Sequence, residues 1–179
     1  IVNPSAGGSR FTLGVRIPGW TGNEPFDGDL YRYITPPKER IGIRVNGKKF
    51  RAPIVKGFAH IDREWKKGDL VEVSLPMEPG FIAARKEVTA DSGRVALGLG
   101  PVVYCLEEVD NGPVREVVVN TSVKPVFAFE QSLLGGVGTL AFSVTDSTGT
   151  ERMAKAVPYY SWANRGRGEM TVWIKTLNK

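Results

Sequence analysis

Apolar side chains in this chain recur at every second position, and the runs they form are short. Phe11, Leu13, Val15 and Ile17 alternate with Thr12, Gly14 and Arg16, and the run stops at Pro18-Gly19. Ile41, Ile43 and Val45 alternate with Gly42 and Arg44 and stop at Asn46-Gly47. A period of two puts alternate side chains on opposite faces of an extended strand. Asn-Gly suits a two-residue hairpin turn, because both of its central positions need a positive φ. No stretch carries the i, i+3, i+4 stripe of an amphipathic helix. The chain is therefore restricted to sheets, each needing apolar cover for one face.

The same pattern continues along the chain. Strands are expected around Phe58–Asp62, Leu70–Leu75, Phe81–Ala84, Glu116–Asn120, Val126–Glu130, Thr139–Val144 and Met153–Val157, with Met170, Val172 and Ile174 closing as one strand. Between Trp20 and Pro37 lies a loop with few apolar residues, pinned through Leu30 and a tyrosine. Near mid-chain, Val95, Leu97 and Leu99 form one strand and Val102 to Leu106 a second, joined by a Gly100-Pro101 corner. Asp110-Asn111-Gly112-Pro113 then reads as a turn cluster. Many short strands, with 21 Gly and 12 Pro in 179 residues, indicate an all-β chain of two packed β-sandwich, jelly-roll-like units with little or no helix. The expected division is residues 1–110 and residues 111–179. The second piece is small for an independent core and should pack on the first.

The charged and reactive residues exclude several chemistries. Net charge is +5, but the charges are scattered; the densest group, Lys48, Lys49 and Arg51, follows a hairpin turn. No basic helix, finger or RNP-type aromatic motif accompanies it, so no nucleic acid partner is expected. No apolar run approaches the roughly 20 residues of a membrane helix. The start, Ile1-Val2-Asn3-Pro4, has neither the basic nor the apolar part of a signal peptide and no Met, so the chain reads as a piece of a longer protein. Ile1-Val2 reads as the tail of a strand. One cysteine, Cys105, forbids an internal disulfide and fits cytoplasm or periplasm alike. Set in an apolar strand before two glutamates, it reads as a small buried hydrophobe. His60 shares a strand face with Asp62, but nothing else completes a metal site or a triad. Glu107 and Glu108 are adjacent and should face opposite sides. Asp91, Glu151 and Glu169 lie beside turns. No catalytic residue and no metal ligand is assigned.

One loop has the character of a ligand contact. Tyr160, Trp162, Asn164 and Arg165 lie within Tyr159–Gly166. Aromatic faces stack on sugar rings, and Asn and Arg donate to hydroxyls; a loop is where such groups collect. The competing reading has Trp162 and Tyr160 sealing the end of a sandwich, with Arg165 on an aromatic ring or paired with Glu169. Trp20 and Trp65 read as lids on a core.

Five stretches in order carry a family resemblance. They are FTLGVRIPGW from Phe11 to Trp20, the Val45-Asn46-Gly47 hairpin, IDREWKKGD from Ile61 to Asp69 with Leu75-Pro76-Met77, GRVA from Gly93 with GPVVYCLE from Gly100 to Glu107, and VPYYSWANRG from Val157 to Gly166 with Glu169-Met170 and Val172-Trp173. Together they resemble the C-terminal region of glycoside hydrolase family 127, the β-L-arabinofuranosidase-like enzymes, over nearly the whole chain. The resemblance implies a bacterial enzyme in three parts: an (α/α)6 catalytic barrel followed by two β-sandwich domains. Catalysis there uses a zinc-bound cysteine and a glutamate acid/base, all in the barrel. This chain would be the two sandwiches, short of the first strands of the middle one, and would hold no cofactor. Cys105 belongs to the sandwich pattern and is not that nucleophile. The implied partners are the barrel of the same protein, a second copy in a homodimer, and arabinose-containing glycans. Leu99 departs from the pattern, standing where an Arg is expected before Gly-Pro.

Overall fold

A computed structural model describes residues 8–177. The expectation for Ile1-Val2 lies outside them. The strands are β1 (Ser9–Arg16), β2 (Tyr31–Tyr33), β3 (Gly42–Val45), β4 (Lys48–Lys49), β5 (Ile54–Val55), β6 (Phe58–Trp65), β7 (Val71–Ser74), β8 (Pro79–Ala84), β9 (Arg94–Leu99) and β10 (Val102–Glu107). A single helical turn, α1 (Glu108–Asn111), follows. The strands then resume as β11 (Val118–Val119), β12 (Val126–Glu130), β13 (Val137–Thr145), β14 (Glu151–Pro158), β15 (Met170–Thr171) and β16 (Ile174–Thr176). The chain is all β, as its alternation requires.

Two small sheets form a sandwich from the first half. β1 and β5 flank β6, and β4 and β7 flank β3. Their inward residues share one core, in which Ala59, Ile61 and Trp65 meet Ile43 and Val45, with Phe11, Leu13 and Val15 packed against it. Trp65 is the lid expected of it: it stacks on Phe11 with ring centroids 5.7 Å apart, and its Nε1 donates to Phe11 O at 3.0 Å.

The larger sheet closes on itself. β9 pairs β10, β10 pairs β14, β14 pairs β13, β13 pairs β11, β11 pairs β16, and β16 returns to β9. This circuit of strands is barrel-like and has no free edge of its own. Its interior is filled by Val95, Leu97, Leu106, Leu140, Phe142 and Ile174, all almost fully buried. Phe81 meets Phe142 edge to face, with centroids 6.0 Å apart. β8 and β2 extend the sheet from β9, β15 pairs β10, and β12 pairs β13.

Three expectations are revised. The division expected at residue 110 falls inside one sheet, because β8, β9 and β10 fill the same core as β13 and β14, and β2 from the first half joins that sheet through β8. The turn cluster at 110–113 is the end of α1, inside that unit. The closing strand is two strands. β15 pairs β10 while β16 pairs β9 and β11, and between them Val172 and Trp173 pack against Tyr33, Ile82 and Ala96. The long loop is pinned by a tyrosine but not by Leu30, which stays half exposed. Tyr33 is buried and its hydroxyl faces Gly100 O at 3.4 Å.

The two units are clasped at their junction. Glu78 Oε1 accepts the backbone N–H of Lys38 at 2.6 Å and of Glu39 at 2.7 Å, and Oε2 pairs with Lys124 Nζ at 2.9 Å. The Glu39 amide first, then Lys124, holds the Glu78 carboxyl below the usual carboxylate range.

Candidate functional site

The outer face of β10 and β14 is where the predicted ligand loop lands. β10 presents Cys105 and Glu107 outward, since Tyr104 and Leu106 face the interior. β14 ends at Pro158, and the chain turns through a short 3-10 segment, Tyr159–Ser161. Ser161 is buried and its hydroxyl donates to Pro158 O at 2.7 Å, which ties the turn to the strand it leaves. Ala163 adopts φ 62, in the left-handed region that costs a residue with a Cβ energy. Its N–H donates to Glu107 Oε1 at 2.8 Å, so the tight bend is paid back by a charge-assisted hydrogen bond.

Arg165 lies beneath this loop. Its Nη1 donates to Asp110 Oδ1 at 2.8 Å, its Nη2 to Asp110 Oδ2 at 2.5 Å, and Nη2 also to Glu107 Oε2. Lys155 on β14 bridges Asp110 at 2.9 Å and Glu130 on β12 at 3.5 Å. Asn111 completes the floor: its Nδ2 donates to Glu107 O and Lys155 O, and its Oδ1 accepts Lys155 N at 2.8 Å. The Arg165 side chain is 16% exposed and that of Asp110 is 9% exposed. Burial alone would raise the Asp110 carboxyl, but hydrogen bonds from Arg165 and Lys155 outweigh it and hold the group below the usual range. The same bonds, Asp110 first, raise Arg165 further above an ordinary guanidinium. Burial, then the charge on Glu107, pushes the Cys105 thiol up to about 12.

The four predicted residues therefore separate by role. Arg165 turns inward, while Asn164 stays exposed and bonds back onto its own loop. Asn164 Nδ2 donates to Ser161 O at 3.1 Å and Trp162 O at 3.3 Å. Arg165 pairs with Glu107 and Asp110 and not with Glu169, which takes Arg115 at 2.9 Å instead. Tyr160 and Trp162 stay outside, at 73% and 39% exposure, and do not seal the sandwich end. Tyr159 joins them: it is 47% exposed, and its ring centroid lies 6.3 Å from that of Trp162 at 35°. Beside Trp162 a crevice is lined by Glu108, Arg167, Gly168 and Glu169. Sequence reasoning gave no partner for Glu107, Asp110 or Lys155, because 45–58 residues separate the members of this cluster in the chain.

The other candidates fall apart in space. His60 and Cys105 stand in different sheets, and His60 is exposed with Asp62, which pairs with Arg10 at 3.0 Å. Among the described residues, no three His, Cys, Asp or Glu side chains converge on one point. Glu107 and Glu108 do part company: Glu107 meets Arg165, while Glu108 opens α1 and accepts Glu169 N at 2.8 Å.

Comparison with known proteins assigns both halves. Residues 2–77 match the family model described as "Beta-L-arabinofuranosidase, GH127 middle domain". Residues 79–175 match "Glycoside hydrolase family 127 C-terminal domain". A non-reducing end beta-L-arabinofuranosidase of Bifidobacterium longum subsp. longum is 32% identical over 192 aligned positions, covering 94% of this chain and 26% of the relative. A solved GH127 beta-arabinofuranosidase is 35% identical with a TM-score of 0.85, covering 97% of this chain and 28% of that one. The solved GH127 beta-L-arabinofuranosidase of Geobacillus stearothermophilus T6 is also 35% identical, with a TM-score of 0.82, covering 97% and 27%. The chain thus spans about a quarter of the length of the relatives it matches.

Proposed function

The chain belongs to glycoside hydrolase family 127, and from that premise we propose that it is the non-catalytic β portion of a β-L-arabinofuranosidase-type enzyme. The observation that carries this reading is which parts match: the middle and C-terminal domains, end to end, in relatives almost four times longer. In this reading the β units bury one face of a catalytic barrel supplied by the rest of the parent protein. Substrate cleavage, and any zinc it uses, belong to that barrel.

An exposed strand supports the packing role. β12 pairs with β13 alone, and Val126, Phe127 and Phe129 on it stand 63%, 47% and 62% exposed. An apolar strand at a sheet margin is a liability unless something covers it. The barrel is the occupant this reading assigns; a second copy, giving a homodimer, is the other arrangement. The test is to produce the barrel portion of the parent separately and mix it with the 179-residue chain. A one-to-one complex by light scattering is expected, with hydrolysis of an aryl β-L-arabinofuranoside by samples containing the barrel only. Hydrolysis by this chain alone, or failure to associate at micromolar concentrations, overturns the reading.

A second reading, a contact with carbohydrate, is favoured by one observation. The loop keeps three aromatic side chains outside while its Asn164 and Arg165 are spent holding it in place.

A further inference from the structure

We infer that Tyr159, Tyr160 and Trp162 form a preassembled platform for the rings of a neutral glycan, with the crevice beside Trp162 wide enough for one hydroxyl. The inference rests on the second reading above, and it names the site and the class of sugar.

The loop is more rigidly held than a surface connection needs to be. Ser161 ties it to Pro158, Asn164 ties it to itself, Ala163 N ties it to Glu107, and Arg165 is sunk between Glu107 and Asp110. Burying that guanidinium costs solvation energy, and its Nε is enclosed without a hydrogen-bond partner. The outcome is a held backbone whose large side chains stay open to solvent, Tyr160 most of all and Tyr159 and Trp162 in part. Exposed aromatic rings on a fixed backbone lose little freedom when a ligand arrives, and this reduced ordering cost makes a weak contact usable.

The shape and charge of the platform select the ligand. The Tyr159 and Trp162 rings lie 6.3 Å apart at 35° and both are part exposed, so they offer apolar ring surface to the C–H groups of a sugar. Tyr160, the most exposed of the three, adds a phenol that can donate to or accept from a hydroxyl. The crevice next to Trp162 carries the carboxylates of Glu108 and Glu169, with Arg167 beside them and Arg115 paired to Glu169 at 2.9 Å. Carboxylates accept from sugar hydroxyls, and with two arginines beside the two glutamates the site has no net charge to draw in a uronate.

The experiment titrates the 179-residue chain with three probes: an arabino-oligosaccharide, a xylo-oligosaccharide and a tri-galacturonate. Tryptophan fluorescence and backbone amide spectra are recorded together. Both neutral sugars are expected to bind, with shifts confined to residues 159–168 and Glu108, and the galacturonate to bind no more tightly than they do. Trp162→Ala and Tyr160→Ala should each weaken binding about tenfold, the loss typical of an aromatic contact residue. Tyr160, being so exposed, should do so with an unchanged urea midpoint. Shifts at another surface overturn this site and leave the carbohydrate reading standing. No response to any sugar at millimolar concentration overturns both. Silence toward sugars, with the loop amides protected on adding the barrel portion, makes the loop a protein contact and also overturns the proposal.

Discussion

Replacing Arg165 by Met keeps much of the side-chain volume and removes the charge. Glu107 and Asp110 then remain in place, mostly enclosed, without their shared cation. Breaking a buried ion pair by removing one partner costs about 3–5 kcal/mol, because the other charge stays buried. Here Glu107 keeps the Ala163 N–H and Asp110 keeps Lys155, so the lower end, about 3 kcal/mol, is expected. For a chain of this size that corresponds to a fall in Tm of about 6–12 °C. Urea unfolding at about pH 7 measures the deficit directly. The pH dependence supplies a second check. The folded Asp110 carboxyl is held below its ordinary value, so its contribution is present above the unfolded pKa of about 4 and is lost as pH falls through the folded value. The Met variant lacks most of that contribution, so its deficit should shrink as the solution is acidified. A neutral-pH deficit below about 1 kcal/mol, the worth of a surface pair, refutes the reasoning. A deficit that does not change on acidification refutes it as well.

Other consequences can be measured on the same chain. Glu78→Ala should cost about 2 kcal/mol by freeing the Lys38 and Glu39 amides and Lys124, and calorimetry should resolve two unfolding transitions where the parent shows one. Gly100 has φ +55, and a Cβ there would lie 2.3 Å from Met77 Sδ. Gly100→Ala should lose about 1–2 kcal/mol from the backbone alone, a loss that adding Met77→Ala does not restore in thermal unfolding. Cys105 is enclosed with its thiol pushed up to about 12, so iodoacetamide at about pH 8 should leave the native chain unmodified by mass and label it fully in urea.

Strands were legible in the sequence because they follow a local rule. β1 half-buries Phe11, Leu13 and Val15 and exposes Thr12, Gly14 and Arg16, as a period of two dictates. Asn46 and Gly47 both adopt positive φ at the hairpin their dipeptide announces. Pairing between strands follows no such rule. β8 reads the same whether it joins the first unit or the second, and only the shared core with Phe142 decides. The ligand loop shows the same limit. Its aromatics were recognisable, but Arg165 could be assigned inward or outward only once Glu107 and Asp110 stood beside it. A local pattern shows that a charged side chain exists and leaves its partner, fifty residues away, unspecified.

The closed circuit of strands fixes an order of events during synthesis. β16 is the last strand described, yet it sits between β11 and β9, pairing Val118 with Lys175 and Val95 with Ile174. Until residue 176 has left the ribosome, β9 and β11 each keep a bare margin. The strands of this circuit made earlier must wait as an open, sticky intermediate, where chaperones have most to protect, while the first sandwich closes on its own core. A stall or a nonsense codon just before β16 would release a chain with nearly all of its apolar content and no means of shutting it in.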